Sequence, residues 1–189
     1  MERRNMESTN NQVQEFVKKS FQENQDYSFG DWAIMYEHSL KVKEIALQIA
    51  KSVNCDKELL GIEALLHDIG KTYKTDTEVL REHHAELGYE VAKNFLPKLN
   101  LSREQNKKIA RFLSGNMDSI EARMIKDADI IAFFFDERLQ EAFKIWADEQ
   151  GFSKELQKKA DKINKLEFEV SKIIAKPLYE EMKERWHLK

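Results

Sequence analysis

Apolar residues along this chain recur three and four positions apart, the spacing of one buried face of an α-helix. Val13, Phe16, Val17 and Phe21 set the first such stripe. A second runs through Met35, His38, Val42, Ile45, Ala46, Ile49 and Val53, with Asp31 ahead of it as a helix cap; one member of this apolar stripe is a histidine. A third, capped by Asp56, uses Leu59, Leu60, Ile62, Leu65 and Leu66 and is predicted to end at Gly70. After the polar link KTYKTDTEV, a fourth helix carries Leu87, Val91, Ala92 and Phe95 and stops near Pro97. Ser102 and Gln105 have capping-box spacing for a fifth helix with Ile109, Phe112 and Leu113. The loop SGNMD restarts a sixth, rich in Ile125, Ala128, Ile131, Phe134 and Phe135. Beyond Gly151, Ser153 is predicted to open a last helical stretch, which Pro177 should break or kink. The alternation that marks strands is missing, so the fold class is all-α.

Composition agrees with this pattern. A chain of 189 residues fits one domain better than two. Only 6 Gly and 2 Pro leave little material for turns, which favours long helices. With 11 Phe, 3 Trp and 5 Tyr it has the aromatics that disordered chains lack. The expected organisation is a flexible N-terminus over residues 1–10, then one helical domain over 11–189. The net charge of -3 argues against a nucleic-acid partner, which would need a basic face. No apolar run is long enough to span a bilayer, and no apolar stretch follows the charged N-terminus as a secretory signal requires. A single cysteine, Cys55, cannot make an intramolecular disulfide, so a reducing, cytoplasmic setting is expected.

Three features resist a reading as packing alone. They are His38 on its apolar stripe, the pair His67-Asp68 at a helix end, and Asp127 and Asp129 beside an apolar run. Singly, each has an ordinary explanation: a satisfied core histidine, a chance dipeptide, a cap. Together, imidazoles and carboxylates form the ligand set of a divalent ion such as Mn²⁺, Co²⁺, Fe²⁺, Ni²⁺ or Mg²⁺. A carboxylate drawn toward a core is costly unless paired or metal-bound. Two neutral histidines and two aspartates would neutralise such an ion.

The stretch YEHSLKVKEIALQIAKSVNCDKELLGIEALLHDIGKTYK resembles the first half of an HD-domain metal-dependent phosphohydrolase of the HDIG subgroup. The later phrases KDADII and HHAELGYEVAKNFL, with His84 and Gly88 four apart, extend the likeness over residues 31–135. The resemblance implies a helical bundle of the HD type in which His38, His67, Asp68 and Asp129 ligate one divalent metal. Asp127 is the rival for the last place. It also implies that metal-activated water attacks phosphorus, with Asp68 handling protons. Lys71 and Lys41, where the family often has Arg, would bind phosphate, and His84 would contact phosphate or protonate the leaving group. RFLSGNMDS holds no histidine for a second metal, which disfavours a two-metal phosphodiesterase and a di-iron oxygenase. His83 and His187 carry no role.

The function so implied is hydrolysis of a phosphomonoester or phosphoanhydride in a small phosphorylated molecule, with a nucleotide as substrate. The alternatives are a dinucleoside polyphosphate or guanosine alarmone hydrolase, and a non-catalytic metal- or nucleotide-binding sensor. Residues 141–189 show no readable chemistry. Their apolar stripe of Leu156, Ile163, Leu166, Val170, Ile173 and Ile174 completes either the core or a homodimer face. Trp146 and Trp186 could stack a base but fit a core equally well.

Overall fold

In a computed structural model, described for residues 2–24, 31–152 and 154–188 and for side chains other than those of residues 2–8, 77 and 81, every regular element is a helix. The α-helices are α1 (Glu2–Glu23), α2 (Trp32–Ile49), α3 (Lys57–Leu66), α4 (Thr77–Ala92), α5 (Arg103–Phe112), α6 (Ile120–Phe135), α7 (Glu137–Glu149), α8 (Glu155–Ala160) and α9 (Glu169–Trp186). Short 3₁₀ turns at Ile69–Thr72, Leu96–Lys98 and Asp161–Lys165 join some of them. The stretch expected to be flexible up to residue 10 is helical from Glu2, and Thr9 is buried. Ser153, expected to open the last helical stretch, lies outside the described residues.

Caps fix where several helices begin. Asp31 accepts a hydrogen bond from the Ala33 amide, and Asp56 accepts from Glu58 and Leu59. Ser102 and Gln105 complete the reciprocal box that starts α5. These side chains satisfy amides that a first helical turn leaves without partners.

The buried faces of α2, α3 and α6 form the centre of one hydrophobic core, with Val42, Ala46, Leu60, Leu65, Ile131 and Ala132 inaccessible to solvent. Helix α1 covers it with Val13, Val17 and Phe21, and Phe16 stacks on Phe95 at 4.0 Å. The end of α6 meets α7 and α9 at Gln140, which is fully buried. Its amide donates to the carbonyls of Phe133 and Phe134 and its oxygen accepts from Arg185 and Trp186. Trp186 is thus committed to a structural bond.

Several sequence expectations shift. Helix α3 ends at Leu66 instead of continuing to Gly70, which sits inside the following 3₁₀ turn. Helix α4 begins within the supposed polar link, at Thr77. The last stretch divides into α8 and α9, and α9 runs on through Pro177 without ending there. Phe135, in the stripe of the sixth helix, is 50% exposed, and Ile173, expected in the core or on a homodimer face, is 74% exposed and so is not part of this chain's core.

Glu63 stands in the apolar face of α3 at 1% exposure, with Oε2 lacking a hydrogen-bond partner. Burial, then Glu121 and Asp56, push its carboxyl up to about 8. The folded chain therefore keeps a proton that the unfolded chain releases above its ordinary value, 4.5. Stability falls as pH rises between these two values. Glu63→Gln is expected to match wild type near pH 4.5 and to exceed it by up to about 4 kcal/mol at pH 8, read from urea unfolding at both pH values.

Candidate metal centre and its cavity

The sequence places the four expected ligands on three elements. His38 faces inward from the second turn of α2 and is 3% exposed. His67 caps the C-terminus of α3, Asp68 leads into the 3₁₀ turn, and Asp129 comes from the middle of α6. Because α2 packs against both α3 and α6, residues 91 apart in the chain meet: His38 Nε2 lies 3.0 Å from Asp129 Oδ1. His67 Nε2 is 3.9 Å from the same oxygen. One donor atom from each of His38, His67 and Asp129 falls within 4.8 Å of the others.

Two observations fit this cluster to a divalent cation. His67 Nδ1 is 2.8 Å from the Ala64 carbonyl, which can only accept, so Nδ1 carries the hydrogen. In the neutral ring this leaves the Nε2 lone pair for the cluster, and that buried atom has no hydrogen-bond partner. A ligand histidine is commonly oriented by such a bond on its other nitrogen. The local field is also short of positive charge. Burial lowers the His67 pKa, but Asp68 and Asp129 outweigh it and raise the value, favouring a cation at this spot. Burial raises the Asp129 carboxyl, yet the His38 hydrogen bond and both imidazoles hold it well below the ordinary range.

Asp68, 5% exposed, adjoins the cluster and links it to a cation and a third imidazole. Its Oδ2 is 3.3 Å from His67 Nε2 and 2.5 Å from Lys71 Nζ, and its Oδ1 is 3.6 Å from His84 Nε2. Burial pushes this carboxyl up, but Lys71, His67 and His84 together hold it well below the carboxylate range. His84 Nδ1 lies 3.0 Å from the Leu80 carbonyl. Its pKa is lowered, first by burial and then by Lys71.

The juxtaposition of Asp68, Lys71 and His84 depends on Gly70. A Cβ at Gly70 would run into the His84 carbonyl and the Gly88 amide nitrogen. Only without a side chain can the turn lie against the backbone of α4. Gly88 in turn packs on Leu113, whose oxygen would stand 3.2 Å from an added Cβ. The two glycines of HDIGK and the His-x-x-x-Gly phrase therefore serve one close contact.

A cavity of about 280 Å³ opens beside the cluster. His38, Asp68, Lys71, His84 and Asp129 form one wall, and Phe133, Phe143 and Trp146 supply an apolar side. Lys159, Lys162 and Glu155 close it from residues that the sequence left without chemistry. Lys41 is not among the lining residues; its ammonium pairs with Glu44 at 2.6 Å and sits 4.2 Å from the Phe135 ring centroid. His83 is exposed and pairs with Glu86, and His187 is the exposed left-handed residue ending α9.

Asp127 and Asp129 separate cleanly. Asp127 is fully buried and accepts from the amides of Glu167 and Phe168, all at 3.0 Å, so it anchors the chain before α9. Asp127→Ala is expected to reduce stability by about 3 kcal/mol, since it leaves two amides without their charged acceptor. It should leave the metal stoichiometry of the folded protein intact. Asp129→Ala should do the reverse, and chemical denaturation beside elemental analysis of both variants checks the contrast. Gly70→Ala should lower the melting temperature by more than 10 °C through the backbone overlap, measured by circular dichroism.

Two curated proteins are similar to short parts of this chain. Ribonuclease Y of Treponema denticola is 44% identical over 57 residues, 30% of this chain and 11% of that protein. The tRNA (cytidine(56)-2'-O)-methyltransferase of Thermoplasma volcanium is 46% identical over 46 residues, 24% of this chain and 14% of that protein. The chain thus spans a small fraction of the length of either relative. No solved structure matches it. The HD domain family model matches residues 35–133, a segment that runs from the α2 histidine through the α6 aspartate and makes up more than half of the sequence. With a His38–His67–Asp129 cluster of the kind that family uses, the chain belongs to the HD domain metal-dependent phosphohydrolases.

Proposed function

We propose that this phosphohydrolase cleaves a phosphate ester or anhydride in a small nucleotide, using one divalent ion held by His38, His67, Asp68 and Asp129. The observation that carries the reading is one cavity whose lining brings His38, Asp68, Asp129, Lys71 and His84 together with Phe133, Phe143 and Trp146. Its volume of about 280 Å³ lies near the lower end for ligand pockets, a size for a small molecule or a single nucleotide unit. The Trp146 ring beside the cavity suits a base, while Lys71 suits a phosphate.

A divalent ion at this site acidifies water and stabilises charge on a phosphoryl oxygen. The chain's own groups do the rest. Asp68 is ionised at neutral pH because its cationic neighbours hold it low, so it can accept a proton from the attacking water. Lys71, already 2.5 Å from Asp68, is positioned to bind a phosphate oxygen at the same time. His84 gives its Nδ1 hydrogen to the Leu80 carbonyl, so Nε2 carries a proton only in the charged ring, a form that an incoming phosphate favours; in that form it is placed to protonate the departing oxygen.

Chelation is expected to abolish phosphate release from nucleotides, and Mn²⁺, Co²⁺ or Mg²⁺ to restore it. Asp68→Asn should lower kcat at least about 100-fold with intact folding. His84→Asn should slow hydrolysis of an alkyl phosphate about 100-fold but that of 4-nitrophenyl phosphate less than tenfold, because a good leaving group needs little protonation. Equal losses on both would remove the proton-donor role. The similarity to Ribonuclease Y favours a second substrate, a ribonucleotide phosphodiester, so the same assay includes a short oligoribonucleotide. Cleavage of that oligomer in preference to every mononucleotide would replace the first reading.

A further inference from the structure

The cationic wall contributed by α8 and the turn after it is not needed by the metal cluster. Lys159 sends its ammonium into the cavity, 5.2 Å from the Phe133 ring centroid and 5.1 Å from that of Phe143. Two ring faces hold the cation in place, a contact that is most favourable where water is excluded. Among the described residues no carboxylate lies within ion-pair distance of Lys159 or of Lys162, which also lines the cavity. Their neighbours behave differently: Lys158 pairs with Glu155, Lys172 with Glu169 and Lys144 with Asp148. Glu155, the acid in this wall, is therefore engaged by Lys158. Lys71 on the opposite wall is engaged by Asp68.

Lys159 and Lys162 stand three residues apart and repel each other. Burial, and next Lys162, lower the Lys159 ammonium to about 8. The attraction of Asp129 and Asp68 does not offset this. A partly dehydrated cation beside a second cation, with no fixed anion of its own, is relieved by an anion that enters the cavity.

We propose that Lys159 and Lys162 bind a second phosphate group of the substrate, one that is not cleaved, so that the preferred substrate carries two phosphates. The inference rests on the phosphohydrolase reading and refines it. The reacting phosphate lies with Lys71 and the His/Asp cluster. The second phosphate reaches the α8 side across the aromatic floor. That phosphate can sit on the first, as in a nucleoside diphosphate, or elsewhere on the sugar, as in a 3′,5′-bisphosphate. Lys159 is then a specificity residue, and it comes from the part of the chain beyond the family match at 35–133.

Calorimetric titration of the full chain with adenosine 5′-monophosphate, 5′-diphosphate and 3′,5′-bisphosphate tests this directly. Wild type should bind at least one of the two-phosphate ligands about tenfold more tightly than the monophosphate. Lys159→Met should remove that advantage while changing monophosphate affinity less than about twofold, and Lys159→Arg should keep it. Whichever ligand shows the advantage tells the diphosphate from the bisphosphate arrangement. If wild type prefers neither, or if Lys159→Met weakens all three alike, the second-phosphate site is overturned. Unchanged melting curves establish that the variants are folded. Phosphate release with Mn²⁺ is measured in parallel. Its absence for all three nucleotides counts against the proposed substrate class, whereas the binding difference alone decides the role of Lys159.

Discussion

The site depends on one backbone contact, the approach of the turn at Gly70 to the chain of α4 at His84 and Gly88. It lets Asp68 face the α4 imidazole while the preceding residue, His67, still points back toward α2 and α6. Any side chain at Gly70 would push the turn outward and separate the two halves of the cavity wall. Gly88 extends the constraint, because α4 rests on Leu113 at the end of α5, where the Tyr89 amide also donates to the Leu113 carbonyl. Three successive segments are thus held at backbone distance, with no room for adjustment by side-chain repacking.

Charge is the second organising constraint. Two carboxylates, the buried Asp68 and the half-exposed Asp129, are brought beside three imidazoles and Lys71. Both stay ionised because cationic and hydrogen-bonding neighbours outweigh the effect of burial. Glu63, on the same helix as His67, shows the opposite outcome: its neighbours are other acids, and it holds its proton. Burial is similar at Asp68 and Glu63, so the company each keeps decides whether a carboxylate can act as a ligand and base.

Much of this was legible in the sequence. The stripe containing His38 named both the helix and its odd member, and the HDIGK and KDADII phrases named the other expected ligands. Caps at Asp31, Asp56 and Ser102 could be read because an Ncap bond involves residues only two or three apart. The choice between Asp127 and Asp129 was not settled by spacing, since both neighbour Ala128. What separates them is the chain at Glu167 and Phe168, 40 residues away. Lys159 and Lys162 were invisible for a similar reason: within KELQKKADKINK they look like any solvated run, and only the fold of α8 against the aromatic floor gives them a direction. Gly70 was read as a helix stop, when its role is contact with a segment 14 residues on. Local rules succeed where the partner is local.

Asp127 and Gln140 give the later helices a different standing from an appendage. Asp127 sits two residues before Asp129 on α6, and its carboxylate grips the entry to α9. Gln140 binds the final carbonyls of α6 on one side and the last turn of α9 on the other. The segment that carries the family's shared residues is therefore not a self-sufficient piece of architecture, because its interior acids and carbonyls are completed from outside it. Divergence in the C-terminal third is in consequence tethered. Residues of α8 can change at the cavity rim, but only while Asp127 and Gln140 keep their hold on the segments that flank it.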